Sequence, residues 1–142
     1  MYLLDTDVIS ELRKTNSGKA DKNVIHWAHT VSVEALYLSV ISILELEAGI
    51  LQIERRDPKQ GDALRYWMNT QVLPVFAERI LVIDITIAQH CALLHVPNSR
   101  SDRDAFIAAT ALVHDMTIVT RNIKDFNSTG VKLINPWKAQ LS

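Results

Sequence analysis

Acidic and amide side chains occupy strand ends and helix starts in four separate parts of the chain. Asp5 ends the first predicted strand, Glu45 starts a helix after the second, Asp104 starts another helix, and Asn122 and Asp125 follow the fourth strand. Parallel strands bring such ends to one edge of a sheet, where carboxylates raise each other's pKa unless a cation lies among them. Oxygen ligands suit Mg²⁺ or Mn²⁺ better than Zn²⁺, and such an ion activates water and offsets phosphoryl charge. The pattern predicts hydrolysis of a phosphodiester or a phosphomonoester.

Most of these positions also have a local structural explanation. Ser42 and Glu45 match the capping box, in which a Glu side chain returns to the Ser amide. Ser101 and Asp104 nearly repeat that pattern. The polar residues after the fourth strand are of types common in loops and caps. Asp5 is harder to explain locally, because one helix start does not need two acids in an Asp-x-Asp string. The conjunction of the four positions favours the chemical interpretation.

The element that positions Asp104 is an apolar helix reaching Val113. Nearly every residue from Phe106 to Val113 is apolar, which is typical of a helix buried inside a domain. On the helical spacing, Asp104 shares a face with Ile107, Ala108 and Ala111. The strand that follows, Met116–Thr120, is short and apolar enough to lie inside a parallel sheet. Ligands in such sheets bind beyond the carboxyl ends of the strands, so chemistry is expected just after Thr120.

Strands alternate with helices along the whole chain. The other predicted strands are Tyr2–Leu4, Leu36–Ser39, Ile80–Ile83 and Val131–Ile134, and the other predicted helices cover about 8–13, 24–35, 42–55, 58–72 and 86–96. This order predicts an α/β fold with a parallel sheet of about four or five strands, flanked by helices on both faces. A chain of 142 residues without a linker or repeat is predicted to form one domain, 1–142.

Composition restricts the partners and the compartment. Hydrophobic residues make up 48% and charged residues 22%, as in ordinary globular proteins, and the net charge is −1. A polyanion would therefore have to be held by a local patch, for which Arg100, Arg103 and Arg121 are the candidates beside the acidic edge. The single cysteine, Cys91, excludes an internal disulfide. No apolar run is long enough for a membrane span and no leader is seen, so a cytoplasmic protein is expected.

Four segments, in order LLDTDVIS, LSVISILELEAG, DAFIAATALVHDMTIVTRNIKDF and LINPW, resemble the PIN-domain ribonucleases, and most closely the VapC-type toxins of bacterial toxin–antitoxin pairs. The resemblance covers essentially the whole chain, and the strings DxxIAATA and VTRNxxDF are specific. It implies an α/β/α domain and an endoribonuclease that depends on Mg²⁺ or Mn²⁺. It also implies a homodimer, a cognate antitoxin that inhibits it, and a higher hetero-oligomer of the two. By family analogy the RNA is a transfer RNA anticodon loop.

The resemblance makes three acids the metal ligands: Asp5, Glu45 and Asp104. Glu45 is preferred to Glu47 because the family acid precedes a Gly by four residues, and that Gly is here Gly49. Helical spacing agrees with this choice. Ala48 and Gly49 share a face with Glu45, and their small side chains leave room for an ion and its waters.

Other family positions differ or play supporting roles. The position after the fourth strand is often Asp in the family and is Asn122 here, whereas Asp125 matches the acid of the family's Asn-x-x-acid-Phe string. Asp7, commonly Asn in relatives, adds charge or orients its neighbour, and Thr6 and Thr120 bind ligands or cap. The resemblance implies in-line attack of a metal-activated water that Asp125 or Asn122 helps to place. The expected products carry a 5′-phosphate and a 3′-hydroxyl.

Three alternatives are weaker. Zinc binding by His90, Cys91 and His95 is disfavoured because adjacent helical residues point about 100° apart and no second Cys is present. The Asp5-to-Asp7 string also resembles the first motif of haloacid-dehalogenase-type phosphatases, with Asp5 as nucleophile. Those enzymes need a later pair of acids, which the sequence after Thr120 lacks. A catalytically silent PIN-like binding module would be expected to lose the acids, and only Asn122 departs in that direction.

Overall fold

The computed structural model describes residues 1–139, whose strands form one five-stranded sheet in the order β3-β2-β1-β4-β5. The strands are β1 (Tyr2–Leu4), β2 (Leu36–Ser39), β3 (Ile80–Leu81), β4 (Thr117–Val119) and β5 (Leu133–Ile134). Every neighbouring pair is parallel, and Leu3 lies opposite Tyr37 of β2 and Ile118 of β4. The predicted α/β fold and its parallel sheet are confirmed. The predicted domain, 1–142, includes three residues outside the described part.

Helices cover the connections between the strands. They are α1 (Thr6–Arg13), α2 (Lys22–His29), α3 (Val40–Arg56), α4 (Pro58–Trp67), α5 (Leu73–Val75), α6 (Ile85–Leu94) and α7 (Asp102–Val113). A π-helical turn, Met68–Val72, joins α4 to α5, and Ile123–Phe126 forms a 3₁₀ turn after β4. None of the helices in residues 1–139 combines the length and the apolar content that crossing a bilayer requires.

Both faces of the sheet are buried, because successive strand residues point to opposite sides. Leu4 packs on one side with residues of α1 to α4, among them Val8, Trp27, Leu46, Ile50 and Leu64. Leu3 packs on the other side with Ile107, Ala108 and Ala111 of α7. Helix α6 then packs on α7, where Ile87 and Cys91 meet Ala105 and Ala109. The helix that carries Asp104 is therefore enclosed between the sheet and α6, as its apolar sequence predicts.

Several helix boundaries differ from the predicted ones, and two of these differences have a clear local cause. Helix α2 ends at His29 rather than near residue 35, because the Thr30 hydroxyl donates to Trp27 O (2.6 Å) and the following residues are β-branched or polar. Helix α3 begins at Val40, since Ser39 is its N-cap and accepts from Ile41 N (3.0 Å). The predicted helix start at Ser42 is therefore wrong, and the alternative in which Ser42 and Glu45 form a capping box is excluded.

Helices α3 and α4 cross closely at Gly61. A Cβ at this position would lie 2.7 Å from Glu54 Cα and would overlap the Glu54 side chain. Next to the crossing, Arg65 Nη1 donates to Glu47 Oε2 (2.6 Å) and Nη2 donates to Glu54 Oε1 (3.2 Å). This packing fixes α4 against α3, the helix that carries Glu45.

Candidate active site

Asp5 lies where the order of the strands reverses, between the carboxyl ends of β1 and β4. Its main-chain N donates to Val119 O (2.9 Å), which joins it to the end of β4. Its carboxylate is the N-cap of α1: Oδ1 accepts from Thr6 N (2.8 Å) and Oδ2 accepts from the Thr120 hydroxyl (2.8 Å). Open α/β sheets bind ligands at this kind of switch point.

Burial raises the pKa of the Asp5 carboxyl, and nearby negative charge raises it further. The hydrogen bonds from Thr120 and Thr6 lower the pKa, whereas the charges of Glu45 and Asp125 raise it. Asp5 therefore serves two purposes: it caps a helix and it contributes charge to a cluster.

Glu45 reaches the same edge from the second turn of α3. The Thr6 hydroxyl donates to Glu45 Oε1 (2.7 Å), and Arg103 Nη1 lies 3.7 Å from Oε2. Glu45 thus bonds to the residue beside Asp5 and not to the backbone at the start of its own helix. The bond from Thr6 takes the place of the bond from the Ser42 amide that a capping box would require.

Asp104 and Asp125 complete the cluster. Asp104 lies in the first turn of α7, where Ser101 is the N-cap and accepts from Asp104 N at 3.5 Å. Burial raises the pKa of Asp104 to about 6, helped by the charges of Asp125, Asp5 and Glu45 and opposed by Arg100. The four acids, remote in sequence, thus act on one another at a single edge of the sheet.

Asp7 and Asn122 bind each other rather than the cluster. Asp7 Oδ2 accepts from Arg121 N (3.1 Å) and from Asn122 Nδ2 (3.4 Å). Asn122 N also donates to the Thr120 hydroxyl (3.0 Å). The turn after β4 is therefore fixed both to Thr120, which precedes it, and to Asp7. Asp7 Oδ1 is buried and has no hydrogen-bond partner within the described residues. Burial, and then the charge of Asp5, raises the pKa of Asp7 to about 6.

The comparisons with known proteins agree with this geometry. Residues 2–132 match the family model of the PIN domain. Plasmid stability protein StbB of Pseudomonas syringae pv. tomato is 39% identical over 98% of this chain and 100% of its own. VapC ribonuclease Y4jK of Sinorhizobium fredii is 34% identical over 97% of this chain and 99% of its own. The chain belongs to the PIN-domain family, in its VapC group. The crystal structure of FitAcB from Neisseria gonorrhoeae matches with a TM-score of 0.86 and 32% identity, covering 96% of this chain and 99% of that one.

A PIN domain implies a divalent metal ion, and the donor set of this chain suits a hard one. The four clustered side chains offer only carboxylate oxygens, and their mutual repulsion is the condition that a cation relieves. In residues 1–139 no three His, Cys, Asp or Glu side chains converge as a preformed metal site. The residues thus fit the ion by chemistry and charge.

The three arginines that were predicted to contact RNA differ in their surroundings. Arg100 Nε donates to Leu94 O (2.9 Å) and its Nη1 donates to Asn127 O (3.2 Å), which ties together the loops on either side. Arg103 is half-exposed beside Glu45. The Arg121 guanidinium lies over the Trp137 ring, 5.2 Å from its centroid. Their predicted contacts with RNA stay predictions, and the backbone role of Arg100 leaves it the least available.

Ser42 is a site residue that the sequence pattern concealed. It is fully buried inside α3, and its Oγ lies 3.1 Å from Thr6 Oγ1. The Thr6 hydroxyl has one proton, which the Glu45 carboxylate accepts, so Ser42 must donate to Thr6. The sequence places this hydroxyl about one helical turn before Glu45, which would allow both side chains to reach the same site. The same two residues also match a capping box, so the sequence alone does not distinguish the two roles.

Proposed function

We propose that this chain is a Mg²⁺- or Mn²⁺-dependent endoribonuclease that acts as the toxin of a toxin–antitoxin pair. The observation that carries the proposal is that Glu45 and Asp125 act electrostatically on both Asp5 and Asp104, next to the switch point of the sheet. The relative Y4jK, named a VapC ribonuclease, supports the same activity. An RNA loop is the expected substrate, since unpaired bases can be splayed out for recognition, and a transfer RNA anticodon loop follows from the family resemblance.

In the proposed mechanism Asp5, Glu45 and Asp104 are the residues that would hold the ion. A bound divalent ion lowers the pKa of water and offsets charge on the phosphate. Thr120 and Thr6 N orient the two oxygens of Asp5. Asp125, exposed at the rim, is better placed than Asn122 to orient the attacking water, because the amide of Asn122 is bonded to Asp7. Water attacks phosphorus in line with the 3′-oxygen and loses a proton to solvent, and the P–O3′ bond breaks. The departing 3′-oxygen takes a proton from solvent, which leaves a 5′-phosphate and a 3′-hydroxyl.

The test is sequencing of RNA 5′ ends in the cytoplasm of a bacterial host after brief induction of the wild type or of Asp104→Asn. Discrete new ends in the wild type alone are expected, and they would also identify the substrate. Matching profiles from two folded proteins, with no antitoxin present, would overturn the proposal. That result would favour the silent binding module.

We also propose two protein partners. A cognate antitoxin would place a basic side chain of its tail in the acidic site, because a cation there relieves the same repulsion as a metal ion. A co-crystal without a basic antitoxin side chain near Asp5 or Asp104 would contradict this mode of inhibition. A second copy of the chain forms the proposed homodimer, which light scattering of the purified toxin and of the antitoxin complex would test.

Removal of the Ser42 hydroxyl is expected to weaken metal binding without unfolding the protein. In Ser42→Ala the Thr6 hydroxyl loses the donor that fixes it against Glu45. A hydrogen bond contributes roughly 1 kcal/mol, which predicts about a five-fold rise in the Mg²⁺ concentration for half-maximal cleavage. Thr6→Val should show the same defect, whereas Thr6→Ser should retain the wild-type value. Unchanged Mg²⁺ dependence in both Ser42→Ala and Thr6→Val would show that this contact has no positioning role.

The stability of the metal-free protein is expected to fall as pH rises. The pKa values of Asp104 and Asp7 are about 6 against an ordinary 3.8, so the folded state binds protons more tightly than the unfolded state. The stabilising effect is fully present below the ordinary pKa of 3.8 and is lost as pH rises through the folded-state pKa of about 6. Mg²⁺ binds the ionised form, so it should raise the melting temperature more at about pH 7.5 than at about pH 5. Equal Mg²⁺ shifts at both pH values would contradict this linkage.

A further inference from the structure

A basic cleft is lined in part by Asp125 and by none of the three proposed metal ligands. Its volume is about 390 Å³, and it lies between the turn after β4 and the segment after β5. Three cations line it, together with two amides: Arg121, Lys124, Lys138, Asn122 and Asn135. The acidic site and the basic cleft therefore meet at Asp125, which lines the cleft and acts electrostatically on Asp5 and Asp104.

Both the main chain and the side chain of Arg121 are held in place. Its main-chain N donates to Asp7 Oδ2 (3.1 Å), and its guanidinium lies over the Trp137 ring at 5.2 Å. Trp137 is itself fixed, since its carbonyl accepts from Asn23 Nδ2 (2.8 Å). A cation that is already ordered by an aromatic ring loses less conformational entropy when it binds an anion.

Arg121 acts electrostatically on Asp7, but no carboxylate in residues 1–139 forms an ion pair with Arg121 or Lys124. The side chains of Arg121 and Lys124 are both exposed. Arg103, by contrast, lies 3.7 Å from Glu45, and Arg100 is used by backbone carbonyls. In a chain of net charge −1, two exposed cations beside a ready-made cleft indicate a local site for a polyanion.

We infer that this cleft binds the RNA backbone next to the phosphate that is cut. Arg121 and Lys124 contact the phosphates that flank the scissile one, on the side where Asp125 closes the acidic site. This inference rests on the proposed nuclease function and adds the path of the substrate to it. The cations position the strand without reading its bases, because phosphate contacts carry no direct sequence information.

The test measures binding of a short fluorescent single-stranded RNA across a range of salt concentrations, with Asp5→Asn in every protein to prevent cleavage. Combining Arg121→Ala with Lys124→Ala should weaken binding and lower the slope of log K against log salt by about 0.7 for each lost phosphate contact. The matched control is Arg55→Ala with Arg56→Ala, which removes two exposed cations from the far end of α3. It should leave the slope unchanged. Lys124→Ala alone provides a variant that leaves the Arg121–Trp137 stack intact.

Single neutral methylphosphonate linkages, placed in turn along the RNA, locate the contact. One linkage should weaken binding to the Asp5→Asn protein and have no further effect when Arg121 and Lys124 are also replaced. Equal slopes in the cleft variant and the control variant would overturn the inference, even if the wild type cuts RNA. Weaker antitoxin binding with unchanged RNA binding would also overturn it, by assigning the cleft to a protein partner. A lower slope in a protein whose wild type cuts no RNA would support the cleft and reject the nuclease.

Discussion

Asp104→Asn is expected to reduce RNA cleavage by about a thousand-fold or more while the protein gains stability in the absence of metal. Loss of a charged ligand removes several kcal/mol of metal-assisted stabilisation, and roughly 1.4 kcal/mol corresponds to a factor of ten in rate. Burial and the charges of Asp125, Asp5 and Glu45 raise the pKa of Asp104, so its ionised form destabilises the metal-free fold at neutral pH. A neutral amide of the same shape removes that repulsion. Single-turnover kinetics and thermal unfolding in a chelator measure both effects.

Asp102→Asn is the matched control, because it makes the same change two residues earlier in the same helical turn. The side chain of Asp102 is 85% exposed and lies outside the cluster. This variant should cleave RNA at nearly the wild-type rate and show no gain in metal-free stability. If Asp102→Asn lost activity and Asp104→Asn kept it, the assignment of the third acid would be wrong.

Gly61→Ala is expected to destabilise the fold by about 1–3 kcal/mol, the usual cost of overfilling a well-packed contact. The new methyl group would lie 2.7 Å from Glu54 Cα, and backbone cannot move aside as a flexible side chain can. Helix α4 would have to shift from α3, which strains the Arg65 contacts with Glu47 and Glu54. Chemical denaturation would measure the change in the free energy of unfolding.

Gly49→Ala introduces the same methyl group in α3 at a position with open space around its Cβ. Alanine is favoured over glycine inside a helix by about 1 kcal/mol, so this variant should be more stable than the wild type. A loss of stability in Gly61→Ala together with a gain in Gly49→Ala would show that the helix crossing, and not the loss of a glycine as such, explains the first result. Equal destabilisation by both would contradict the close packing at Gly61.

The acids could be located from the sequence because each follows a strand or starts a helix. Asp5 comes directly after the first apolar strand and Asp104 stands at the head of an all-apolar helix, and a parallel sheet brings such positions to one edge. The family resemblance then chose Glu45 over Glu47, which local periodicity alone does not do. In the structure Glu45 bonds to Thr6 beside Asp5, whereas Glu47 bonds to Arg65 on the outer helix.

The contacts that the sequence could not predict join residues far apart along the chain. The bond between Asp7 and Asn122 spans 115 positions and depends on β1 lying next to β4, a neighbour relation that no local pattern contains. Ser42 is hard to assign from the sequence for the opposite reason. Its local pattern was complete enough to suggest a cap, but Ser39 had already started the helix.

The bond between Asp5 and Thr120 also has a consequence for protein synthesis. The two residues are 115 positions apart. At a translation rate of roughly 5–20 residues per second, Thr120 is therefore synthesised on the order of ten seconds after Asp5. During that time β1 has no β4 beside it, and Asp104 and Asp125 join the cluster only after most of the chain has left the ribosome. The nascent chain therefore lacks the complete acidic cluster until most of its residues have been made.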